Sequence, residues 1–348
     1  MGHLHQFGKR PGPRRKLEQV STVDVCMGTV VQQTVWGGNA RQAAAAVQRE
    51  IRRLQSLLSV YSSGSDVAGL NKMAGKGPVT LHPDTVRVLS RALEISSLSD
   101  GAFDITAGPL IKAWAVTSGN PVPPSGSAIS SLRDLVSYRD LHVDGPGRSA
   151  YLAKPGQMVD LGGIGKGFAG DKAASVYRRH GIESALLDLG GNIVAVGSRP
   201  DGSPWNVGIQ DPAGARGECL GVLQVRNRSV VTSGDYERYF EAGGRRYHHI
   251  IDPATGYPAS SGLSSVTVVG DDSMTADGLS TAVFVLGAEK GLRLIAQVRG
   301  AEAVLVTSAR EVIVTDGLKQ AFSLVACRTG YAMTDTAKMT DVVDMVEQ

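Results

Sequence analysis

Apolar positions along the chain change period several times, and each period predicts an element. Val47, Ile51, Leu54 and Leu58 recur at helical steps, with Arg49, Arg52 and Arg53 between them. This predicts a helix with one buried stripe, capped by Asn39 and ended by residues 61–64. The β-branched run from Thr22 to Trp36 predicts a strand before it. Leu81 to Ser99 predicts a second helix, with Val86, Leu89, Leu93 and Ile95 or Leu98 on its apolar side. Gly167 to His180 predicts a third, closed by Gly181. The Pro-, Gly- and Ser-rich stretch from Ser118 to Ser131 reads as a loop, and 136–143 and 147–159 as strand, turn and strand. From Ala185 to Val231, short apolar runs alternate with turns, which predicts an antiparallel sheet. A strand at Val266–Val269, helices near 276–286 and 289–299, and strands at 303–307 and 312–315 follow.

Together these predict an α+β fold of mostly antiparallel, mixed sheets with packed helices. The chain lacks a sustained βαβαβ rhythm, which argues against a doubly wound dinucleotide fold. Residues 1–20 read as a disordered basic tail, 21–325 as the folded domain, and 326–348 as a weakly patterned C-terminal tail.

Composition sharpens this in three places. Glycine is abundant, at 43 of 348 residues, against 3 Trp, 9 Tyr and 6 Phe, so tight turns or close approach of backbone to a ligand are expected. The net charge of +3 comes from Lys9, Arg10, Arg14, Arg15 and Lys16, which leaves a slightly acidic body and no indication of a nucleic-acid surface. Cys26, Cys219 and Cys327 form no metal spacing and read as buried structural thiols. No apolar run is long enough for a transmembrane helix, and the N-terminus shows neither an apolar signal region nor a lipoprotein anchor. The sequence as given suggests a cytoplasmic protein, or an extracytoplasmic one if a leader has been removed.

Four segments carry candidate chemistry. Asp160-Leu-Gly-Gly-Ile-Gly-Lys-Gly167 lies between a strand-like segment and a helix. Backbone N–H groups at such a helix start, with Lys166 beside them, suit a phosphate-containing ligand, although a glycine turn can be purely structural. Asp277 and Thr281 stand four apart in a predicted helix and share a face. A carboxylate and a hydroxyl so placed suit Mg²⁺, and the plainer reading is that Asp277 or Thr275 caps the helix. In Tyr247-His-His-Ile-Ile-Asp-Pro-Ala-Thr-Gly-Tyr-Pro258, strand alternation points one of two histidines inward, where it can act as acid, base or donor. A zinc pair there would lack further ligands at suitable spacing. In Gly101–Leu110, Asp104 among small residues can meet the edge of a planar ring, or cap the next turn.

In their order and spacing these segments resemble the ApbE family, the FAD:protein FMN transferases. The resemblance runs from Met27-Gly28-Thr29 to about Leu286. It also takes in Ser59–Ser62, Leu187–Asn192 and Val231–Glu237. It implies an FAD cleft between sheet and helix subdomains. It implies Mg²⁺-dependent transfer of the FMN moiety of FAD to a Thr or Ser hydroxyl of an acceptor flavoprotein, with release of AMP. It implies Mg²⁺ ligands Gly163 (carbonyl), Asp277 and Thr281, and FAD contacts Met27, Tyr61, Ala102, Phe103, Asp104, Asp160, Lys166 and Ile251. His249 matches the family histidine before Ile-Asp-Pro. His249 or Asp277 would take the proton of the acceptor hydroxyl. The competing readings are an FAD pyrophosphatase on the same scaffold, with water as acceptor, and a non-catalytic flavin-binding protein.

Overall fold

The computed structural model describes residues 18–325 and 330–334. Most of the basic tail and most of the C-terminal tail, Cys327 included, lie outside them.

The first strand of the sequence reading is a hairpin, β1 (Gln19–Cys26) and β2 (Thr29–Trp36). Met27 and Gly28, at φ 52 and 70, form the two-residue turn between them. Positive φ at both positions matches the twist of a hairpin, and Met-Gly lacks the Asn or Asp that normally signals it. Next, α1 (Ala40–Leu58) buries the predicted Val47, Ile51, Leu54 and Leu58. Asn39 does not cap it through its side chain; the amide instead donates to the His180 carbonyl at 3.2 Å.

Short α2 (Asp66–Lys72) and β3 (Val79–Thr80) lead into α3 (Pro83–Leu98). Val86, Leu89 and Ile95 of α3 are buried, and Leu98 faces solvent. Arg53 of α1 pairs with Glu50 and Asp84, tying α1 to the start of α3. Then come α4 (Gly108–Trp114) and α5 (Gly126–Arg133). The predicted loop thus contains most of a helix. Ser125 caps it, but Ile129 is its one buried residue, so no apolar period betrays it. β4 (Leu141–Asp144) and β5 (Ser149–Leu152) pair as the expected hairpin.

After α6 (Gly165–Arg179), the strands β6 (Ser184–Leu189), β7 (Asn192–Gly197), β8 (Trp205–Gln210), β9 (Cys219–Val225) and β10 (Ser229–Gly234) follow closely as predicted. A small hairpin, β11 (Tyr239–Ala242) and β12 (Arg245–His248), precedes β13 (Leu263–Gly270). α7 (Ser273–Leu286), α8 (Ala288–Gln297), β14 (Glu302–Thr307), β15 (Glu311–Val314), β16 (Phe322–Leu324) and β17 (Ala332–Thr334) complete the described chain.

The centre is a nine-stranded sheet in the order β1-β2-β6-β7-β10-β13-β14-β15-β17. Its pairs are antiparallel except β15 with β17. Strand alternation feeds two cores. Val231, Val266, Val268 and Leu305 face the helices α1, α6 and α7, while Val230, Val269, Val304 and Val306 face β8, β9 and β16. A sheet covered on both faces explains its near-continuous apolar strands. Cys26 is buried as expected; Cys219, the first residue of β9, is exposed. Among the described residues, no helix is long and apolar enough to cross a membrane.

Candidate functional site

The site forms where the N-terminal turn of α6 crosses α7. The crossing is close because two glycines of α6 lack side chains. A Cβ on Gly167 would lie 2.3 Å from the Ser273 carbonyl oxygen and 2.7 Å from Cβ of Asp277. One on Gly170 would lie 2.9 Å from the Ser273 hydroxyl. Asp171, also on α6, accepts the N–H groups of Ser273 (2.7 Å) and Met274 (3.0 Å) and so holds the start of α7. Burial pushes this carboxyl up to about 6.

In this crossing Asp277 is a buried carboxylate with only 4% of its side chain exposed. Its Oδ2 accepts the Gly167 N–H at 2.8 Å. Its Oδ1 lies 3.7 Å from Nζ of Lys166, which itself donates to Oδ1 of Asn192 at 2.9 Å. One turn along α7, the Thr281 hydroxyl adjoins Gly163, where an added Cβ would lie 3.3 Å from it and 3.1 Å from the Phe103 ring. The helix spacing and the glycine turn therefore bring Asp277, Thr281, Gly163, Lys166 and Phe103 together. Asp277 is not a helix cap: Asp272 fills that role, accepting the Thr275 N–H at 2.8 Å.

The phosphate-cradle reading of the glycine turn is corrected in part. The N–H groups of Gly162, Ile164, Gly165 and Gly167 are already used, by the Asp160 carboxylate, the Leu161 carbonyl (twice) and Asp277. The positive charge at the site rests mainly on Lys166. Burial pushes the Asp160 carboxyl up, and the single bond from Gly162 offsets only part of this.

His249 directly follows β12. Its backbone N–H and its Nδ1 both meet the Arg238 carbonyl, at 3.0 and 3.3 Å. A carbonyl only accepts, so Nδ1 carries the hydrogen and Nε2 keeps its lone pair. Burial, then the charges of Arg238, His248 and Lys166, lowers this histidine to about 4, so it is neutral near pH 7. Arg238 also donates to the Gly28 carbonyl at 3.1 Å, linking His249 to the β1–β2 turn. His248 instead points inward to the Ala259 carbonyl at 2.9 Å and the edge of Phe284. The adjacent Ile251 is buried with Leu110, Trp114 and Ile129, and Trp114 donates to the Gly256 carbonyl at 2.8 Å. Ile251 thus anchors the loop carrying His249.

The remaining expected contacts come from several segments of the chain. Met27 sits at the hairpin turn with its methyl group near Gly165. Tyr61 is 89% exposed just beyond α1. Ala102 is half-buried in the turn after α3, where its N–H donates to the Ser99 carbonyl. Both carboxylate oxygens of Asp104 hold local structure: Oδ1 accepts from the Thr106 N–H and hydroxyl, Oδ2 from the Tyr138 N–H at 2.7 Å. Ser233, to which sequence alone assigns no role, bonds the Ser280 hydroxyl at 2.8 Å and lies 3.5 Å from that of Thr281. Asn192 and Ser280 were also without a role; only the position of Ser280, three after Asp277, hints at it.

A cavity of about 650 Å³ between α3, α6 and the turn before α7 is lined by residues such as Arg91, Lys172 and Arg228, and by none of Gly163, Lys166, Asp277 or Thr281. Those three cations pair with Glu94, Asp84 and Asp271. Among the described residues, no three His, Cys, Asp or Glu side chains converge on a point suited to a metal.

Known proteins share this arrangement of chain. The model of the ApbE family matches residues 27–305. An FAD:protein FMN transferase of Treponema pallidum is 36% identical over 324 residues, covering 88% of this chain and 90% of the relative. One from Klebsiella pneumoniae is 35% identical, covering 84% and 90%. The crystal structure of the ApbE protein of Thermotoga maritima superposes with a TM-score of 0.81 at 31% identity, covering 87% of this chain and 99% of the other. On the length and level of these similarities, the chain belongs to the ApbE family.

Proposed function

We propose that the chain opens the phosphoanhydride of FAD and joins the FMN half to a Thr or Ser hydroxyl of an acceptor flavoprotein, with Gly163, Asp277 and Thr281 holding Mg²⁺. That the chain is an enzyme, an FAD:protein FMN transferase, rests on its curated relatives. The observation that supports the rest is that Asp277 Oδ1 faces Lys166 while the Thr281 hydroxyl, one turn along the same helix, adjoins Gly163 of the glycine turn.

The donor set fits Mg²⁺: one carboxylate, one hydroxyl and a backbone carbonyl are hard oxygen ligands, and substrate phosphate and water complete such a site. Bound there, the metal supplies Lewis-acid stabilisation of charge on the phosphoryl oxygens. Lys166, with 22% of its side chain exposed, adds a charge-assisted donor to the same oxygens. His249, neutral and with Nε2 unprotonated, is the proton acceptor in this reading; Asp277 is committed to Gly167 and the metal. The acceptor O–H gives its proton to Nε2, and its oxygen forms the new bond to the FMN phosphorus. The bridging P–O bond breaks, and its electron pair leaves with AMP. Tyr61, open on the surface, offers a ring face for the flavin.

The test is incubation with FAD, Mg²⁺ and an acceptor protein bearing an exposed Thr, read by mass spectrometry of the acceptor and by release of AMP. An FMN adduct with AMP supports the proposal. Free FMN and AMP without adduct would identify a pyrophosphatase, and absence of AMP would reject both reactions.

A further inference from the structure

Asn192 opens β7, next to the turn made by Gly190 and Gly191. It is completely buried. Its Oδ1 accepts from Lys166 at 2.9 Å, but its Nδ2 has no hydrogen-bond partner and no contact with solvent. A buried amide with an orphan donor costs stability. An apolar side chain of similar size would avoid that cost, so the reason to keep the amide lies in its one bond, to Lys166.

What that bond does follows from Asp277. With Oδ2 bound to Gly167, Oδ1 is the oxygen left for a metal. Lys166 stands 3.7 Å from Oδ1, close enough to pair but beyond hydrogen-bond length. A lysine without the Asn192 anchor would move onto Oδ1 and close a direct ion pair in a buried, weakly screened place. That ion pair would compete with the metal for the same oxygen.

We propose that Asn192 is a positioning residue that holds the Lys166 ammonium off Asp277, keeping Oδ1 open to the metal and the ammonium aimed at the phosphates. The inference rests on the reading of Asp277 as a metal ligand. The test is a Mn²⁺ titration of the full chain by electron paramagnetic resonance, with Mg²⁺ competition, alongside urea unfolding. Asn192→Leu, close in volume and without an acceptor, is expected to weaken Mn²⁺ binding about tenfold, the scale of an outer-sphere partner. Its folding stability is expected to hold or rise. Asn192→Asp, which keeps an acceptor for Lys166, should not show this loss of Mn²⁺ affinity. In a Lys166→Met background, adding Asn192→Leu should change Mn²⁺ affinity no further.

Unchanged Mn²⁺ affinity in Asn192→Leu overturns the proposal while leaving the metal reading intact. So does an equal loss with and without Lys166, or a loss of affinity that tracks a loss of stability. Failure of the unaltered protein to bind Mn²⁺ overturns the metal reading, and this inference with it.

Discussion

The Asp277 carboxylate accepts the backbone N–H of Gly167 at 2.8 Å, joining two residues 110 positions apart in the chain. The bond links the first turn of one helix to the middle of another, and leaves one carboxylate oxygen facing Lys166. Substitutions at either end of this bond test the site.

Gly167→Ala should separate the helices. The new methyl would press on the Ser273 carbonyl and on Asp277. Overpacking of this kind costs about 1–3 kcal/mol. Urea unfolding should show that loss, and metal affinity should fall with it because Asp277 is displaced.

Asp277→Asn retains an oxygen to accept the Gly167 N–H, so folding stability should change little. If Asp277 holds Mg²⁺ as proposed, loss of its charge should lower AMP release at ordinary Mg²⁺ at least about a hundredfold, since metal assistance is worth several kcal/mol. Titration of activity against Mg²⁺ concentration checks this; full activity at ordinary Mg²⁺ would remove Asp277 from the metal site.

His249→Ala should slow transfer about 10²–10⁴-fold, the range for a positioned general base, with FAD affinity nearly unchanged. Equal losses in rate and affinity would make His249 a binding residue only.

The pH dependence carries a sign. The folded-state value of His249, about 4, lies below its ordinary value of 6.5. As the proposed base, the imidazole is therefore free above about 4, and the acid limb of kcat/KM assigned to it should fall near pH 4. For stability, the unfolded chain takes up the proton first as pH drops. The contribution of this group is fully present above 6.5 and is lost as pH falls toward 4. Rate profiles and unfolding curves of the protein and of His249→Ala, taken across this window, should differ accordingly.

Tyr61→Ala should leave stability within about 0.5 kcal/mol, since the ring touches little in the folded protein. If the flavin stacks there, FAD affinity should drop by about 0.5–1.5 kcal/mol, roughly two- to tenfold. Flavin fluorescence titration measures it.

Sequence periodicity alone determined the long helix with Val47, Ile51, Leu54 and Leu58 and the run of antiparallel strands from Ala185 onward, and residue chemistry and spacing picked out the four motifs. These are local: a stripe or an alternation is visible wherever one face of an element is buried. The short helices at Asp66–Lys72 and Gly126–Arg133 bury too few residues to show a period. The Met27–Gly28 turn was hidden because its residues are not those that usually mark a hairpin. In the site, the pairing of Asp277 with Thr281 was legible because four residues make about one helical turn. Tertiary structure decided what those side chains meet. It used most of the glycine-turn N–H groups internally, faced His249 to a carbonyl that leaves Nε2 open, and placed Asn192 against Lys166. Such contacts join distant segments of the chain, and they depend on the distance between packed helices, which no local pattern encodes.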